Sequence, residues 1–255
     1  MVNEMKKSIR NKNYIGTAGW VLPSAVAARF PGEGSHLERY AQVFNCVEIN
    51  SSFYKDPKPE TYAKWAAATP DDFLFSVKLN KYFLQEQRLK ETGDKLQQTL
   101  DGILELQGKL GALLVQLPPS LAFEEKIAAK FMQQIRKHYA GPVVWEPRHK
   151  SWGLPLAIKT LHHFKMNKVL ADPEPCPTSK ELRPAVENIR YLRLHGTPIR
   201  YRSSYTEVAL QRIDQRIFKH PLSPAQATWV IFDNTAHAYA TENALRLQEL
   251  HALSI

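Results

Sequence analysis

Short runs rich in β-branched and aromatic residues alternate with amphipathic stretches along the chain, and their different periods mark alternating strands and helices. Strands are expected over Tyr14 to Ala18, Cys46 to Asn50, Phe73 to Leu79, Ala112 to Leu117, Pro142 to Pro147, Lys168 to Ala171, Arg190 to His195 and Trp229 to Asp233. Helical spacing connects Leu96, Leu100, Ile103, Leu104 and Leu110, then Ile127, Phe131 and Ile135, then Leu210, Ile213 and Ile217, and a last helix is expected from about His237 to Leu253. Eight strand–helix units in 255 residues predict an α/β fold, a single (β/α)8 barrel of the TIM type. Its sixth unit should be irregular, because Pro173, Pro175, Pro177 and Pro184 interrupt the segment after the sixth strand. No Gly-rich phosphate-binding turn follows any strand, which argues against an open nucleotide-binding sheet.

Strand side chains alternate between faces, so parity sorts them. Glu48 and Asn50 oppose Val47 and Ile49; Ser76 and Lys78 oppose Phe75 and Val77; Gln116 opposes Val115 and Leu117. Glu146 and Arg148 oppose Val143 and Trp145, and Arg193 and His195 oppose Leu192 and Leu194. Asp172 follows the sixth strand, while Asp233 and Asn234 close the eighth. These polar residues crowd the C-terminal strand ends, where barrel enzymes build their active sites. The alternative is a buried ionic network that only fills the mouth, an arrangement costly to desolvate. The residues expected to carry chemistry are Glu48, Glu146, Lys78 and His195. Those expected to bind substrate are Asn50, Tyr54, Gln116, Arg148, Trp152, Asp172, Arg193, Asp233 and Asn234.

Charge changes this picture only locally. The net charge of +9 concentrates in residues 1–13, at +3, and residues 190–219, at +5. The first stretch is expected to be a flexible basic tail ahead of one domain at 14–255. The second begins on the seventh strand and continues through its loop, so it is expected to prepare the mouth for an anionic ligand. Cys46 and Cys176 have no CxxC spacing, which argues against a disulfide framework and a zinc knuckle. No apolar run approaches the roughly 18 residues of a membrane span. The N-terminus lacks a secretory h-region, making the cytoplasm the expected compartment.

Several segments together carry a family pattern: Ile15-Gly-Thr-Ala-Gly-Trp20, Val47-Glu-Ile-Asn-Ser-Ser-Phe-Tyr54, Phe75-Ser-Val-Lys78, Leu114-Val-Gln-Leu-Pro-Pro119, Trp145-Glu-Pro-Arg-His-Lys-Ser-Trp152, Tyr191-Leu-Arg-Leu-His-Gly196, and Phe232-Asp-Asn-Thr235 with Asn243-Ala244. From about Tyr14 to Leu250 the chain resembles the YecE-like family, the domain of unknown function number 72. The resemblance implies a TIM-type barrel and brings no established reaction. Relative to that pattern the loop after Trp20 is short, Leu84-Gln85 replaces a Thr-His pair, Asp233 replaces an Asn, and Pro147 follows Glu146.

The leading functional expectation is a hydrolase or lyase acting on a polar, partly anionic small molecule, with Glu48 and Glu146 dividing acid and base roles. Arg148 and Arg193 would orient the substrate and His195 would shuttle a proton; no cofactor is required. One alternative is a metal-dependent phosphoesterase or nuclease, with a divalent ion on Glu48, Glu146, Asp172, His195 and Asp233. Against it, Lys78, Arg148 and Arg193 share the rim and would repel metal. A second alternative is a non-enzymatic binder of a small anion or of nucleic acid through Arg200, Tyr201 and Arg202. A Schiff-base role for Lys78 with a carbonyl substrate is a further option.

Overall fold

The computed structural model describes residues 12–90, 92–178, 189–218 and 227–253. Most of the expected basic tail, together with Pro184 and Lys219, lies outside the described residues; Lys12 and Asn13 open the first strand.

The fold is mixed α/β, with every described strand pair parallel. In chain order the strands are β1 (Lys12–Thr17), β2 (Cys46–Ile49), β3 (Leu74–Lys78), β4 (Leu110–Gln116), β5 (Val143–Glu146), β6 (Asn167–Lys168), β7 (Leu170–Asp172), β8 (Ile189–Leu194) and β9 (Ala227–Phe232). One sheet has the order β1-β9-β8-β7 and the other β2-β3-β4-β5-β6. The sixth expected strand is thus divided at Val169 between the two sheets. Residues 173–178 after it contain no helix, as the prolines require.

The helices are α1 (His36–Ala41), α2 (Pro59–Ala67), α3 (Gly93–Leu104), α4 (Glu125–His138), α5 (Pro155–His163), α6 (Glu207–Phe218) and α7 (Tyr239–Ala252). Their boundaries have local causes. Ser35 and Glu38 form a reciprocal capping box at the start of α1. Pro59 and Pro155 open α2 and α5, where a missing N–H costs nothing. Helix α4 buries Ala128, Phe131, Met132 and Ile135 along one stripe and ends on Arg136, Lys137 and His138, which favour its negative C-terminal dipole. Leu110 corrects the periodicity reading: a short 3-10 turn ends α3's register, and Leu110 starts β4. Among the described residues no helix is long and apolar enough to cross a membrane.

Two apolar clusters divide along strand parity. The larger lies between sheets and helices and includes Val47, Phe75, Val115, Trp145, Leu192 and Phe232. The smaller takes the other parity: Tyr14, Cys46, Ala112, Leu114, Val144, Tyr191, Trp229 and Ile231, with Val169 from between β6 and β7. Trp229 is its centre, stacked on Tyr14 at 4.9 Å and on Tyr191 at 5.7 Å. The room for this ring comes from Gly111, where a Cβ would stand 2.4 Å from the indole. Continuing each strand of this parity towards its C-terminal end leads from these apolar residues to Glu48, Lys78, Gln116, Glu146, Arg193 and Asp233.

Candidate active site

Arg193, at 0% exposure on β8, is the hub of this polar layer. Its Nε and Nη2 donate to the two oxygens of Glu48 at 2.9 and 2.7 Å, a bidentate pairing. Nη1 donates to Glu146 Oε2 at 2.5 Å, and Nη2 also reaches Asp233 Oδ2 at 3.0 Å. Three strands therefore each contribute a carboxylate position to one guanidinium: Glu48 and Glu146 from β2 and β5, and Asp233 from the end of β9.

His195 stands between two of the same carboxylates, with Nδ1 3.0 Å from Asp233 Oδ2 and Nε2 3.0 Å from Glu146 Oε1. An ionised carboxylate only accepts, so both ring nitrogens are satisfied together only in the doubly protonated imidazolium. Burial opposes that charge, but the hydrogen bonds to Asp233 and Glu146 outweigh it and raise the histidine pKa. The carboxylates respond in the opposite sense. Burial works against ionising Glu146, yet Arg193, His195 and Arg148 hold it well below the usual carboxylate range. Asp233 is lowered for the same reason, against burial, by Arg193, His195 and Lys78.

Charge in this layer then balances without Lys78. Glu48, Glu146 and Asp233 face Arg193, the His195 imidazolium and Arg148, whose Nη2 lies 3.3 Å from Glu146. Lys78 is the surplus cation. It is 6% exposed, its Nζ lies 4.1 Å from the centroid of the Phe53 ring, and among the described residues no carboxylate oxygen comes within 4.0 Å of it. Burial and then the Arg193 charge bring its pKa down from 10.5 to about 8, although Glu48, Asp233 and Glu146 pull the other way.

Around the hub, Gln116 donates to Glu146 Oε1 at 2.9 Å. Arg148 donates through Nη2 to the Tyr201 hydroxyl at 2.6 Å, and its side chain remains 15% exposed. The Tyr201 ring lies edge-on to His195 at 5.4 Å. Its loop starts at Gly196, where φ is +90° and a Cβ would lie 2.6 Å from the Ser203 carbonyl, so glycine is required immediately after His195. Beneath Glu48, Tyr191 donates its hydroxyl to Oε2 at 3.0 Å and is 2.6 Å from Ser76 Oγ.

Other expected site residues lie elsewhere. Trp152 is fully buried, stacked on Trp145 at 5.4 Å, with Nε1 donating to the Leu121 carbonyl; it is a core residue rather than a ligand platform. Asn234 has the opposite parity to Asp233 and donates to Asn243 Oδ1 and the Ser203 carbonyl, tying a loop to α7. Asp172 also points away from the hub, accepting from Thr197, while its backbone carbonyl holds the His195 amide. Tyr54 is 69% exposed, and its neighbour Phe53 supplies the ring beneath Lys78. Asn50 keeps the inward parity, and its Oδ1 is buried with no partner among the described residues. Leu84 and Gln85 fall in a single π-helical turn after β3, Leu84 buried and Gln85 exposed.

The described residues of the basic stretch are placed differently from one another. Arg193 is neutralised inside, Arg190 donates to the Ile217 carbonyl, and Arg212 and Arg216 are exposed on α6. Among the described residues no group of three or more His, Cys, Asp or Glu side chains is arranged to hold a metal ion. Of the carboxylates expected to do so, Glu48, Glu146 and Asp233 converge on the guanidinium instead, and Asp172 accepts from Thr197.

Tyr191 and Phe53 are neighbours that the sequence expectations omit, and Tyr201, expected on an anion-binding surface, joins the layer through Arg148 and His195. Tyr191 was detectable, since it shares the parity of Arg193; Tyr201 reaches the layer only through its loop.

The family model described as "Protein of unknown function DUF72" matches residues 14–254. The chain is 30% identical over 181 residues to the UPF0759 protein YecE of Escherichia coli K12, covering 69% of this chain and 64% of that protein. It thus spans a little under two thirds of YecE's length in that match. To the UPF0759 protein YunF of Bacillus subtilis 168 it is 25% identical over 269 residues, covering 93% of this chain and 94% of that protein. Among solved structures, a DUF72 family protein of Thermotoga maritima MSB8 superimposes with a TM-score of 0.74 at 23% identity, covering 96% of this chain and all of that one at 100%. One of Enterococcus faecalis V583 gives 0.73 at 22%, covering 95% and 96% of the two chains.

Proposed function

The chain belongs to the DUF72 family, and from the geometry of its ionic layer we propose an enzyme of hydrolase or lyase type acting on a polar, partly anionic substrate. In this reading the two sheets are arcs of one (β/α)8 barrel within a single domain. Two seams support closure. Ala18 bridges to Glu48 between β1 and β2, and Val169, between β6 and β7, donates its amide to the Trp145 carbonyl of β5 at 2.7 Å. The inner apolar cluster drawn from strands of both sheets is the filled interior such a barrel needs. The ionic layer then caps that interior at the C-terminal mouth.

The observation that carries the functional reading is the convergence of Glu48, Glu146 and Asp233 on one buried guanidinium. Desolvating so many charges costs several kcal/mol per ion before pairing, and apolar residues of similar volume would fill the space at no such cost. Maintaining that layer where barrel enzymes place their chemistry argues for use. The carboxylates are committed to Arg193 and His195, so acid and base roles move from the expected Glu48 and Glu146 to His195 as acid and Lys78 as base. Arg148, partly exposed and with Nη1 outside its described hydrogen bonds, would take the anionic group of the substrate. Asn50 Oδ1 supplies an acceptor awaiting a donor.

Screening the purified chain against phosphoester, glycoside and sugar-acid panels tests this. His195→Gln should lower kcat about a hundredfold, the usual worth of a positioned acid, while Arg148→Gln should chiefly raise KM. Equal turnover in the wild type and both variants would remove the assignment.

A further inference from the structure

Within that enzymatic reading, on which this step rests, we infer that Lys78 is a covalent nucleophile that forms an imine with an aldehyde or ketone substrate bearing a neighbouring anionic group.

Three geometric observations converge on Lys78. Arg193 and His195 already absorb the nearby carboxylates. Among the described residues the amine has no carboxylate within 4.0 Å and only the Phe53 ring face at 4.1 Å. A buried ammonium with a structural role would be expected to spend its N–H donors on acceptors. Lys109 provides the comparison within this protein: its Nζ donates to the Ala66 and Thr69 carbonyls, both at 2.6 Å. Lys78 does nothing of the kind. Although the Phe53 ring face itself favours the ammonium, an amine buried without a carboxylate partner among the described residues, beside Arg193 and inside a layer that is electrically balanced without it, is held ready to lose its proton. The lowered Lys78 pKa agrees with that arrangement.

The chemistry balances without an added oxidant or reductant. The Nζ lone pair attacks the carbonyl carbon, the C=O π pair moves to oxygen, and a proton from the amine is transferred to that oxygen. The resulting carbinolamine loses its oxygen as water, taking the second amine proton, and leaves a C=N bond. Arg148 would receive the carboxylate or phosphate of the same molecule, and His195 is the ionisable acid of the layer for the protonated leaving oxygen.

The test uses the full chain, incubated separately with pyruvate, glycolaldehyde phosphate and neutral acetaldehyde, reduced with borohydride and mapped by peptide mass. Reduction of an imine should leave one adduct on Lys78, formed with either anionic probe about a hundredfold faster at neutral pH than on a free alkylamine of ordinary basicity, from the difference in free-amine fraction. Lys78→Arg should abolish it. Arg148→Gln should slow labelling by pyruvate several-fold more than labelling by acetaldehyde. Adducts spread over exposed lysines, with Lys78 unmodified in the folded wild type, overturn the inference even if Lys78→Arg fails to fold. If Lys78 stays unlabelled while a panel substrate is turned over, the imine fails and the acid–base enzyme stands. If Lys78 is labelled and no carbonyl compound is turned over, the nucleophile stands and the enzymatic reading fails.

Discussion

The inward face of the strands has two layers that solve the packing problem in opposite ways. Towards the N-terminal ends, Trp229 lies between Tyr14 and Tyr191, in van der Waals contact and without charge. Towards the C-terminal ends, Arg193 is gripped by three carboxylates at similar burial. Tyr191 joins them, its ring in the lower layer and its hydroxyl on Glu48. The lower layer gains free energy simply by excluding water. In the upper layer attraction must first offset desolvation, so its parts are interdependent and removing one leaves others buried and unpaired.

The upper layer is most sensitive at Arg193. Arg193→Met leaves Glu48, Glu146 and Asp233 without their shared cation, and a loss of about 5 kcal/mol in urea unfolding is expected, at the upper end for an uncompensated buried charge. In the lower layer, Trp229→Ala should cost about 4 kcal/mol through lost contacts and a cavity, with no change in the pH dependence of stability. Lys78→Met should act in the reverse direction. A lysine that titrates at about 8 when folded and 10.5 when unfolded binds fewer protons in the native state between those values, so wild-type stability rises with pH across that window. The variant should lack that rise and be about 3 kcal/mol more stable at pH 7, while losing borohydride trapping. Tyr191→Phe is the smallest perturbation: it removes one donor from Glu48 and should cost about 1 kcal/mol. Acid pH acts on the upper layer alone. Because Glu146 and Asp233 are lowered in the folded state, their contribution is present above the unfolded carboxylate pKa and is lost as pH falls through the folded values, which Trp229→Ala should leave unaltered.

Much of this was legible in the chain. Alternation located the strands and put Glu48, Lys78, Gln116, Glu146 and Arg193 on a common face, because a period of two follows from backbone geometry alone. What alternation cannot tell is which side chains meet across the interior. Glu48 and Arg193 are 145 residues apart, and nothing local indicates that Arg193 takes the carboxylates and leaves Lys78 without one. Loop geometry is hidden from alternation for the same reason. Of the aromatics near strand ends, Tyr54 turns outward while Phe53 lies on Lys78, and Trp152 packs against Trp145. At Val169 the chain passes from one sheet to the other, a division that residue propensity does not encode.

Because the upper layer is charge-balanced without Lys78, it is this amine that changes protonation near neutral pH. Competitive labelling of the folded chain with a small amine reagent, followed by mass mapping across a pH series, reads the proton affinity of Lys78 directly. A midpoint of about 8 is the predicted result; a midpoint for Lys78 at or above about 10, the ordinary value for an alkylamine, would show that the layer holds it as a permanent ammonium.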